Sequence, residues 1–256
     1  MATAAKDRSA TLDALPITSA FSELNEIRHG LQPHYETLRA IPSRQKLLSS
    51  PLYADISSQL EPLLCGVEKG SHASPSPPGL PGEVLRVVAW NIQRGRRLAA
   101  ITEALRTDPV LARADVLLLS EVDNGMGRSG NHHVARELAA SLRMHYAFGV
   151  SYLVLGDDVL ENEEGASNTL ALAGSAVLSR WPMGATKNLD LPELKDKFSS
   201  KSEKRLGKKR ALAAEIRLPS GPLWVSTCHL DSNASPMQRS RQLSKLLSEV
   251  SAQGTR

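Results

Sequence analysis

The feature that most constrains this sequence is a pair of apolar runs, separated by one amphipathic stretch, within residues 84–123. The runs VLRVVAWNIQRG and ADVLLLSEVD are rich in β-branched and aliphatic residues. Between them Leu98, Ile101 and Leu105 recur at helical spacing. The pattern predicts a strand, a helix and a second strand that joins the first through a right-handed parallel crossover. An α/β fold is therefore expected.

A polar residue closes each of these two runs. Asn91 ends the first and Glu121 ends the second. Parallel strands leave a sheet at the same edge, and ligands of α/β proteins collect there. A carboxylate beside an amide oxygen is a suitable hard-oxygen pair for Mg²⁺. The alternative is that both residues are ordinary solvated positions where the sheet meets water.

Four short motifs follow one another along the chain. They are Trp90-Asn91-Ile92, Leu119-Ser120-Glu121-Val122, Gly174-Ser175-Ala176-Val177-Leu178-Ser179-Arg180 and Thr227-Cys228-His229-Leu230-Asp231. In this order they resemble the motifs of the endonuclease/exonuclease/phosphatase superfamily, which includes DNase-I-like nucleases, apurinic endonucleases, sphingomyelinases and inositol polyphosphate 5-phosphatases. The resemblance implies a DNase-I-like α/β sandwich, with two sheets flanked by helices. It also implies hydrolysis of phosphate esters, with Mg²⁺, or Mn²⁺ in its place, as the cofactor.

The resemblance also implies roles for the motif residues. Glu121 is the expected metal ligand, and Asn91 is expected to support the metal or a phosphate oxygen. His229 is expected to reach the phosphate and to stabilise charge in the transition state. Outside this context, a single histidine at a strand end is more often a packed or hydrogen-bonded residue.

Three further residues are candidates for contact with the substrate. Ser175 stands where the superfamily commonly has asparagine, so it keeps a hydroxyl but loses the reach of an amide. Asp231 shares a strand face with His229, whereas Cys228 points away. Arg128 lies on a glycine-rich loop after Glu121, where a guanidinium matches phosphate oxygens. A solvated loop arginine is the alternative for Arg128.

The motifs of the superfamily's second half have no counterpart after His229. These are a Gly-Asp-x-Asn type motif and a Ser-Asp-His type motif, which supply a general base and a second histidine. Residues 83–256 are therefore expected to be the N-terminal portion of such a domain, and the sandwich to be incomplete. A second interpretation follows, in which an inactive half-domain binds a polyanion or acts as a scaffold. A lipid or inositol phosphatase is a third.

The chain divides by composition into three segments. Residues 1–65 predict a helical N-terminal extension, in which Phe21, Leu24, Ile27 and Leu31 have helical spacing. The extension is expected to pack on the main domain rather than to form a separate partner-binding module. Residues 66–82, GVEKGSHASPSPPGLPG, predict a linker.

Later stretches carry weaker signals. Residues 195–210, KDKFSSKSEKRLGKKR, are densely basic, so they either follow a phosphate backbone or form a flexible solvated loop. Residues 156–167 are rich in acidic side chains, which favours a solvated loop. A helix is predicted from an N-cap near Asn131, and residues 211–229 predict a hairpin. A last helix begins at Pro236, with an apolar stripe of Leu243, Leu246, Leu247 and Val250.

Charge and cysteine content set outer limits on function. The formal net charge of the 256 residues is +4, which permits a nucleic acid or another phosphate-ester partner and demands none. Cys65 and Cys228 are the two cysteines, so a disulfide framework is unsupported. The sequence has no secretory-type apolar core near Met1 and no run long enough to span a membrane. A soluble, cytoplasmic protein is expected.

Overall fold

The computed structural model describes residues 23–74, 84–156, 166–193, 196–200 and 203–254. Four short 3₁₀ turns cover Gln32–His34, Leu111–Arg113, Gly127–Ser129 and Lys197–Ser199. The helices are α1 (Tyr35–Ala40), α2 (Arg44–Leu48), α3 (Pro51–Cys65), α4 (Leu98–Thr107), α5 (Val134–Leu142) and α6 (Pro236–Gly254). The strands are β1 (Glu23–Leu24), β2 (Val67–Ser71), β3 (Val87–Arg94), β4 (Val116–Asn124), β5 (His145–Val154), β6 (Leu172–Ser179), β7 (Met183–Asp190), β8 (Arg205–Gly207), β9 (Arg210–Leu218) and β10 (Gly221–Cys228).

The predicted strand–helix–strand unit is present as β3, α4 and β4. β3 and β4 pair in parallel, with Asn91 opposite Ser120. Ile101 and Leu105 of α4 are buried because their spacing places them on the face that packs into the main core. The hydrophobic periodicity of this stretch therefore predicted both the elements and the direction of the chain.

Two sheets pack face to face to form the core. Over the described residues, the larger sheet has the strand order β1-β2-β5-β6-β4-β3, with β8 also paired to β5, and the smaller sheet has the order β10-β9-β7. Val116 and Val177 of the larger sheet pack against Leu212 and Ile216 of the smaller one. Helices α3, α4 and α5 contribute to the core on the other face of the larger sheet. The predicted α/β sandwich of two sheets flanked by helices is confirmed, and the predicted hairpin is β9 and β10.

The last helix packs on the outer face of the smaller sheet, but with a different stripe from the predicted one. Leu246 is buried, whereas Leu243 and Leu247 are 44% and 55% exposed. The inward face is set by Gln242, whose Oε1 accepts from the Asp231 N–H at 3.2 Å. Its Nε2 donates to the Pro192 carbonyl at 2.8 Å. The buried polar residue rotates the helix so that two predicted core leucines face solvent.

The predicted helix over residues 21–31 is wrong within the described part of that stretch, and Phe21 lies outside it. The chain forms β1 and then an irregular segment up to Leu31. Ile27 and Leu31 are buried nonetheless. The Ile27 N–H donates to Glu68 Oε2 at 2.7 Å, and the Leu31 N–H donates to His29 Nδ1 at 3.2 Å. Side chains therefore satisfy backbone groups that a helix would have paired internally.

Part of the predicted linker belongs to the larger sheet. Val67–Ser71 form β2, which runs between β1 and β5 and pairs Val67 with Gly149. The linker prediction is wrong for these five residues, because it was based on the glycine and proline content of the whole stretch and not on its first residues. Residues 75–83 lie outside the described residues, as do residues 157–165 of the predicted acidic loop, and the three-segment division stays a prediction.

The helix predicted from Asn131 is α5, which begins at Val134. His133 is its N-cap, and His133 Nδ1 accepts from the Arg136 N–H at 3.3 Å. Asn131 instead has a left-handed backbone, with φ of 57°, and its Nδ2 donates to the Ser167 carbonyl at 3.0 Å. Its side chain therefore anchors a neighbouring loop rather than the helix.

Candidate active site

Glu121 lies at a bulge within β4 rather than at the strand end that the sequence predicted. The β4–β6 register passes from Ser120 opposite Ser175 to Val122 opposite Gly174, which leaves Glu121 unmatched in this ladder. Its φ is 52°, in the left-handed region. A bulge re-aims the side chain of its extra residue, and a residue with a Cβ incurs about 1–2 kcal/mol in this conformation. The bulge therefore takes the carboxylate of Glu121 out of the regular alternation of the strand, at the cost of this backbone strain.

Asn91 lies at a matching irregularity in β3. The strand continues to Arg94, and its register on β4 shifts between Asn91 and Arg94. Gln93 and Arg94 have φ values of 49° and 67°. Asn91 Oδ1 accepts from the Gln93 N–H at 3.0 Å, so the amide oxygen supports this turn. The amide nitrogen lies towards His229.

His229 joins these two residues from the other sheet. Its Nδ1 lies 3.4 Å from Asn91 Nδ2 and 3.5 Å from Glu121 Oε1. It follows directly after β10, which is tied to β4 by a hydrogen bond of 3.4 Å from Thr227 Oγ1 to the Leu119 carbonyl. Three residues predicted from separate motifs therefore meet at the junction of the two sheets.

A pocket of about 310 Å³ opens beside Glu121 and His229. Ser175 and Asp231 also line it, and both are buried. Asn91 lies in an adjoining recess with Gln93 and Arg97. The pocket lining also holds six cationic side chains and four carboxylates: Arg94, Arg128, Lys197, Arg205, Lys209 and Arg210 with Glu121, Asp123, Glu203 and Asp231.

Arg128 lines this pocket, but its guanidinium already has carboxylate partners. Its Nε and Nη2 donate to Asp123 Oδ2 and Oδ1 at 2.8 and 3.0 Å. Its Nη1 donates to Glu203 Oε1 at 2.7 Å. A buried fork between two carboxylates orients both of them. The predicted direct contact with phosphate is therefore not what this conformation offers, and Arg128 instead holds the pocket wall together.

The surroundings of His229 favour a neutral imidazole. Burial lowers the pKa of His229 and the positive charge of Lys209 lowers it further, while Glu121 acts in the opposite direction. Asn91 Nδ2 donates towards Nδ1, and a neutral imidazole carries one proton. That proton is therefore assigned to Nε2, which makes Nε2 a hydrogen-bond donor.

Glu121 and Asn91 offer a divalent cation only a small number of protein ligands. Among the described residues, no group of three or more histidine, cysteine and carboxylate side chains is arranged to hold a metal ion. Mg²⁺ keeps several waters and commonly takes only one or two carboxylates from the protein. The Glu121 carboxylate meets that need, and Asn91 Oδ1 keeps one lone pair beyond its bond to Gln93. The donor set suits a hydrated Mg²⁺ better than a fully protein-bound metal.

Several pocket residues escaped sequence reasoning. Asp123 is not among the predicted site residues, yet it is fully buried as the partner of Arg128. Glu203, Arg205 and Lys209 lie in the basic stretch, whose alternative interpretation was a loose loop. Phe198 is the residue that could have indicated an ordered stretch, because it is an aromatic residue among basic ones. In the structure it is fully buried, and Lys204 Nζ lies over its ring.

Comparison with known proteins gives partial structural matches. No family model and no curated protein matches this chain. An endonuclease/exonuclease/phosphatase from Beutenbergia cavernae matches with a TM-score of 0.46 and 23% identity, over 65% of this chain and 44% of that chain. D. rerio TDP2, complexed with a single-strand DNA product, matches with a TM-score of 0.40 and 16% identity, over 65% and 54%. The 3′ phosphatase NExo from Neisseria, bound to a product DNA hairpin, matches with a TM-score of 0.40 and 18% identity, over 68% and 54%.

The chain spans about half the length of the three proteins. Within the described ranges, no helix has the length and apolar character needed to cross a membrane.

Proposed function

We propose that this chain belongs to a divalent-metal-dependent phosphoesterase of the endonuclease/exonuclease/phosphatase superfamily. The observation that carries the proposal is the meeting of Glu121, Asn91 and His229 at the rim of a pocket rich in cationic side chains. Hydrolysis of a phosphate ester needs neutralisation of charge on the phosphate, an activated water and stabilisation of the leaving oxygen. The three residues and the pocket supply groups for the first of these needs, and the second-half motifs that have no counterpart after His229 would supply the others.

Each residue has a distinct task in the proposed reaction. Glu121, with Asn91 beside it, would hold Mg²⁺, and the bound ion supplies Lewis-acid polarisation of a phosphate oxygen. His229 donates its Nε2 proton in a hydrogen bond to a phosphate oxygen, where negative charge grows in the transition state. Asn91 holds the imidazole in the tautomer that allows this. Ser175 and Asp231 line the pocket as polar contacts for the substrate.

Nucleic acid is the proposed partner class, and the cytoplasm is the proposed location. The cationic pocket supports a phosphate-ester substrate. Cys65 and Cys228 are both free, which suits a reducing compartment.

The test is turnover of bis(4-nitrophenyl) phosphate and a DNA oligonucleotide, with Mg²⁺ and with EDTA. In a chain that also carries the two second-half motifs, we expect Mg²⁺-dependent hydrolysis that falls at least about 100-fold in Glu121→Gln and His229→Asn, in line with loss of a group that stabilises the transition state. Glu36→Gln and His132→Asn are matched controls, since both side chains are exposed and lie outside the pocket lining.

Three outcomes distinguish the candidate functions. Full activity in EDTA or in Glu121→Gln would overturn the metal-dependent mechanism. Salt-sensitive DNA binding with no turnover would favour the inactive polyanion-binding half-domain. Preferential turnover of an inositol phosphate or a phospholipid in the same assay would move the substrate class away from nucleic acid.

A further inference from the structure

Lys209 is a pocket residue whose charge has no close partner among the described residues. It lies in the two-residue link between β8 and β9 and lines the site pocket. Its carbonyl accepts from the Leu191 N–H at 2.9 Å, which fixes the position of the link. Its side chain is half-buried, and over the described residues its ammonium makes neither a hydrogen bond nor an ion pair. A partly desolvated charge with no partner is costly, so the position is suited to an external anion.

Arg205 lines the same pocket and is held rigidly. Its guanidinium carbon lies 5.6 Å from the centroid of the Tyr152 ring, and its Nη2 pairs with Glu203. Glu203 also pairs with Arg128 at 2.7 Å and with Arg94 at 3.8 Å. Asp123 also pairs with Arg128, so two carboxylates serve three guanidiniums, and Arg205 has Glu203 as its carboxylate partner.

The pKa of Lys209 reflects its burial together with nearby charges of both signs. Burial is the main cause that lowers the pKa of Lys209, to about 8. Arg205 and Lys197 lower it as well, and the carboxylates of Asp231 and Glu121 oppose them. An anion bound at this wall would raise the pKa of Lys209, because it favours the charged ammonium.

We propose that Lys209 and Arg205 form an anion-binding subsite on the pocket wall, which holds a phosphate group of the substrate. The inference rests on the proposed function for the identity of the anion. Arg205 offers a fixed, planar donor and Lys209 a mobile point charge, a pair that suits the oxygens of a phosphate. Both come from one short segment, β8 and the link after it, so the basic stretch contributes to the site rather than forming a separate surface.

The pocket recognises charge rather than a nucleobase. Of the described residues that line it, Tyr152 is the only aromatic one apart from His229. The ring of Tyr152 is already covered by Arg205. Stacking of a base on an exposed aromatic face is the usual way to hold a single strand, and this pocket offers no such face. The subsite is therefore expected to select for phosphate and to tolerate different organic groups.

The decisive experiment measures inorganic phosphate binding to the full chain, without metal, by NMR titration. We expect Lys209→Gln to weaken phosphate affinity about tenfold or more, as for loss of a hydrogen bond to a charged group. Lys208→Gln is the matched control, because it makes the same charge change at the next residue. Lys208 Nζ pairs with Asp190 at 3.3 Å and lies outside this pocket lining. Lys209→Arg keeps the charge and is expected to retain affinity within a few fold.

A second readout follows Lys209 directly in the unsubstituted protein. At pH 8, acetylation of each lysine is followed by mass spectrometry with and without inorganic phosphate. Phosphate is expected to slow acetylation of Lys209 and to leave Lys208 unchanged. Equal phosphate affinity in Lys209→Gln and Lys208→Gln would overturn the subsite. Because no metal or turnover is involved, that failure is separate from a failure of the proposed phosphoesterase activity.

Discussion

Glu121 shows how a single residue links backbone strain to chemistry. Its φ of 52° places it in a region that residues with a Cβ avoid, and its position at the bulge brings it within 3.5 Å of His229. Regular extended backbone at this point would have kept the side chain in the alternation of the strand. The carboxylate therefore reaches the pocket because the strand is irregular.

The strain at Glu121 can be measured by comparing glycine with alanine. We expect Glu121→Gly to be more stable than Glu121→Ala by up to about 1 kcal/mol, since alanine keeps the left-handed penalty and glycine does not. Chemical denaturation of the two variants gives the difference. Glu215 pairs with Trp224 in the β9–β10 ladder and does not have a positive φ, although β7 bulges on its other side, so the order should reverse there, with glycine the less stable by about 0.5–1 kcal/mol. The same order at both positions would argue against strain at Glu121.

The sequence predicted the residues of the site better than it predicted their surroundings. Asn91, Glu121 and His229 stand in ordered motifs with distinct residue types, so their meeting could be anticipated. The commitment of Arg128 to Asp123 and Glu203 could not be, because a glycine-rich loop gives no periodicity that marks a buried ion pair. Lys209 was similarly hidden among seven other basic residues in its stretch.

At the scale of elements, the three-residue strand β8 positions the cationic wall of the pocket. It pairs with the end of β5, with Leu206 opposite Leu153 and Gly207 opposite Tyr152. Gly207 has a φ of 132°, and a Cβ on it would lie 2.2 Å from the Ser151 carbonyl oxygen. The sheet therefore admits this strand only with glycine at its last position.

Replacement of Gly207 by alanine should loosen β8 and lower the stability of the chain. Gly221→Ala is the comparison, because Gly221 has a similar φ of 123°, but a Cβ on it would meet no atom of the described residues within 4 Å. Gly221→Ala should incur only the backbone penalty of about 1–3 kcal/mol. Gly207→Ala should lose more, since the clash with Ser151 is added. Urea denaturation measures both, and an equal loss would mean that β8 tolerates a shift away from β5.

Element prediction succeeded where hydrophobic periodicity was strong and failed where polar side chains decided the structure. The β3–α4–β4 unit and the β9–β10 hairpin follow their patterns. In the segment before α1, Ile27 and Leu31 have helical spacing, yet Glu68 and His29 capture their backbone N–H groups. In α6, Gln242 selects the buried face. Such contacts depend on side-chain chemistry rather than on apolar spacing, so hydrophobic periodicity does not predict them.

At the scale of the whole molecule, Glu68 connects the N-terminal segment, the larger sheet and α5. This fully buried carboxylate accepts from the Ile27 N–H at 2.7 Å and from the Tyr146 hydroxyl at 2.7 Å. From α5 and its N-cap, Arg136 Nη2 and His133 Nε2 each lie 2.8 Å from Oε1. The segment before α1 is thus attached through one charged centre as well as through apolar packing.

Glu68 should make the stability of the whole chain depend on pH in the acid range. Burial by itself raises the pKa of Glu68, but hydrogen bonds from His133, Tyr146 and the Ile27 backbone outweigh it and lower the pKa to about 2. Because the folded pKa lies below the unfolded value near 4.5, folding favours the ionised form. Its contribution is complete above the unfolded pKa and is lost as the pH falls towards 2.

The variant Glu68→Gln isolates this contribution. Between pH 4 and pH 3, the unfolding free energy of the unsubstituted chain should fall more steeply than that of Glu68→Gln, by about 1 kcal/mol per pH unit. Near neutral pH the variant should be the less stable by about 3 kcal/mol, because the donors around position 68, Arg136 among them, lose a charged acceptor. Glu36→Gln makes the same change at an exposed carboxylate and should keep the original slope. If Glu68→Gln and the unsubstituted chain lose stability in parallel over this range, the buried network does not hold Glu68 ionised.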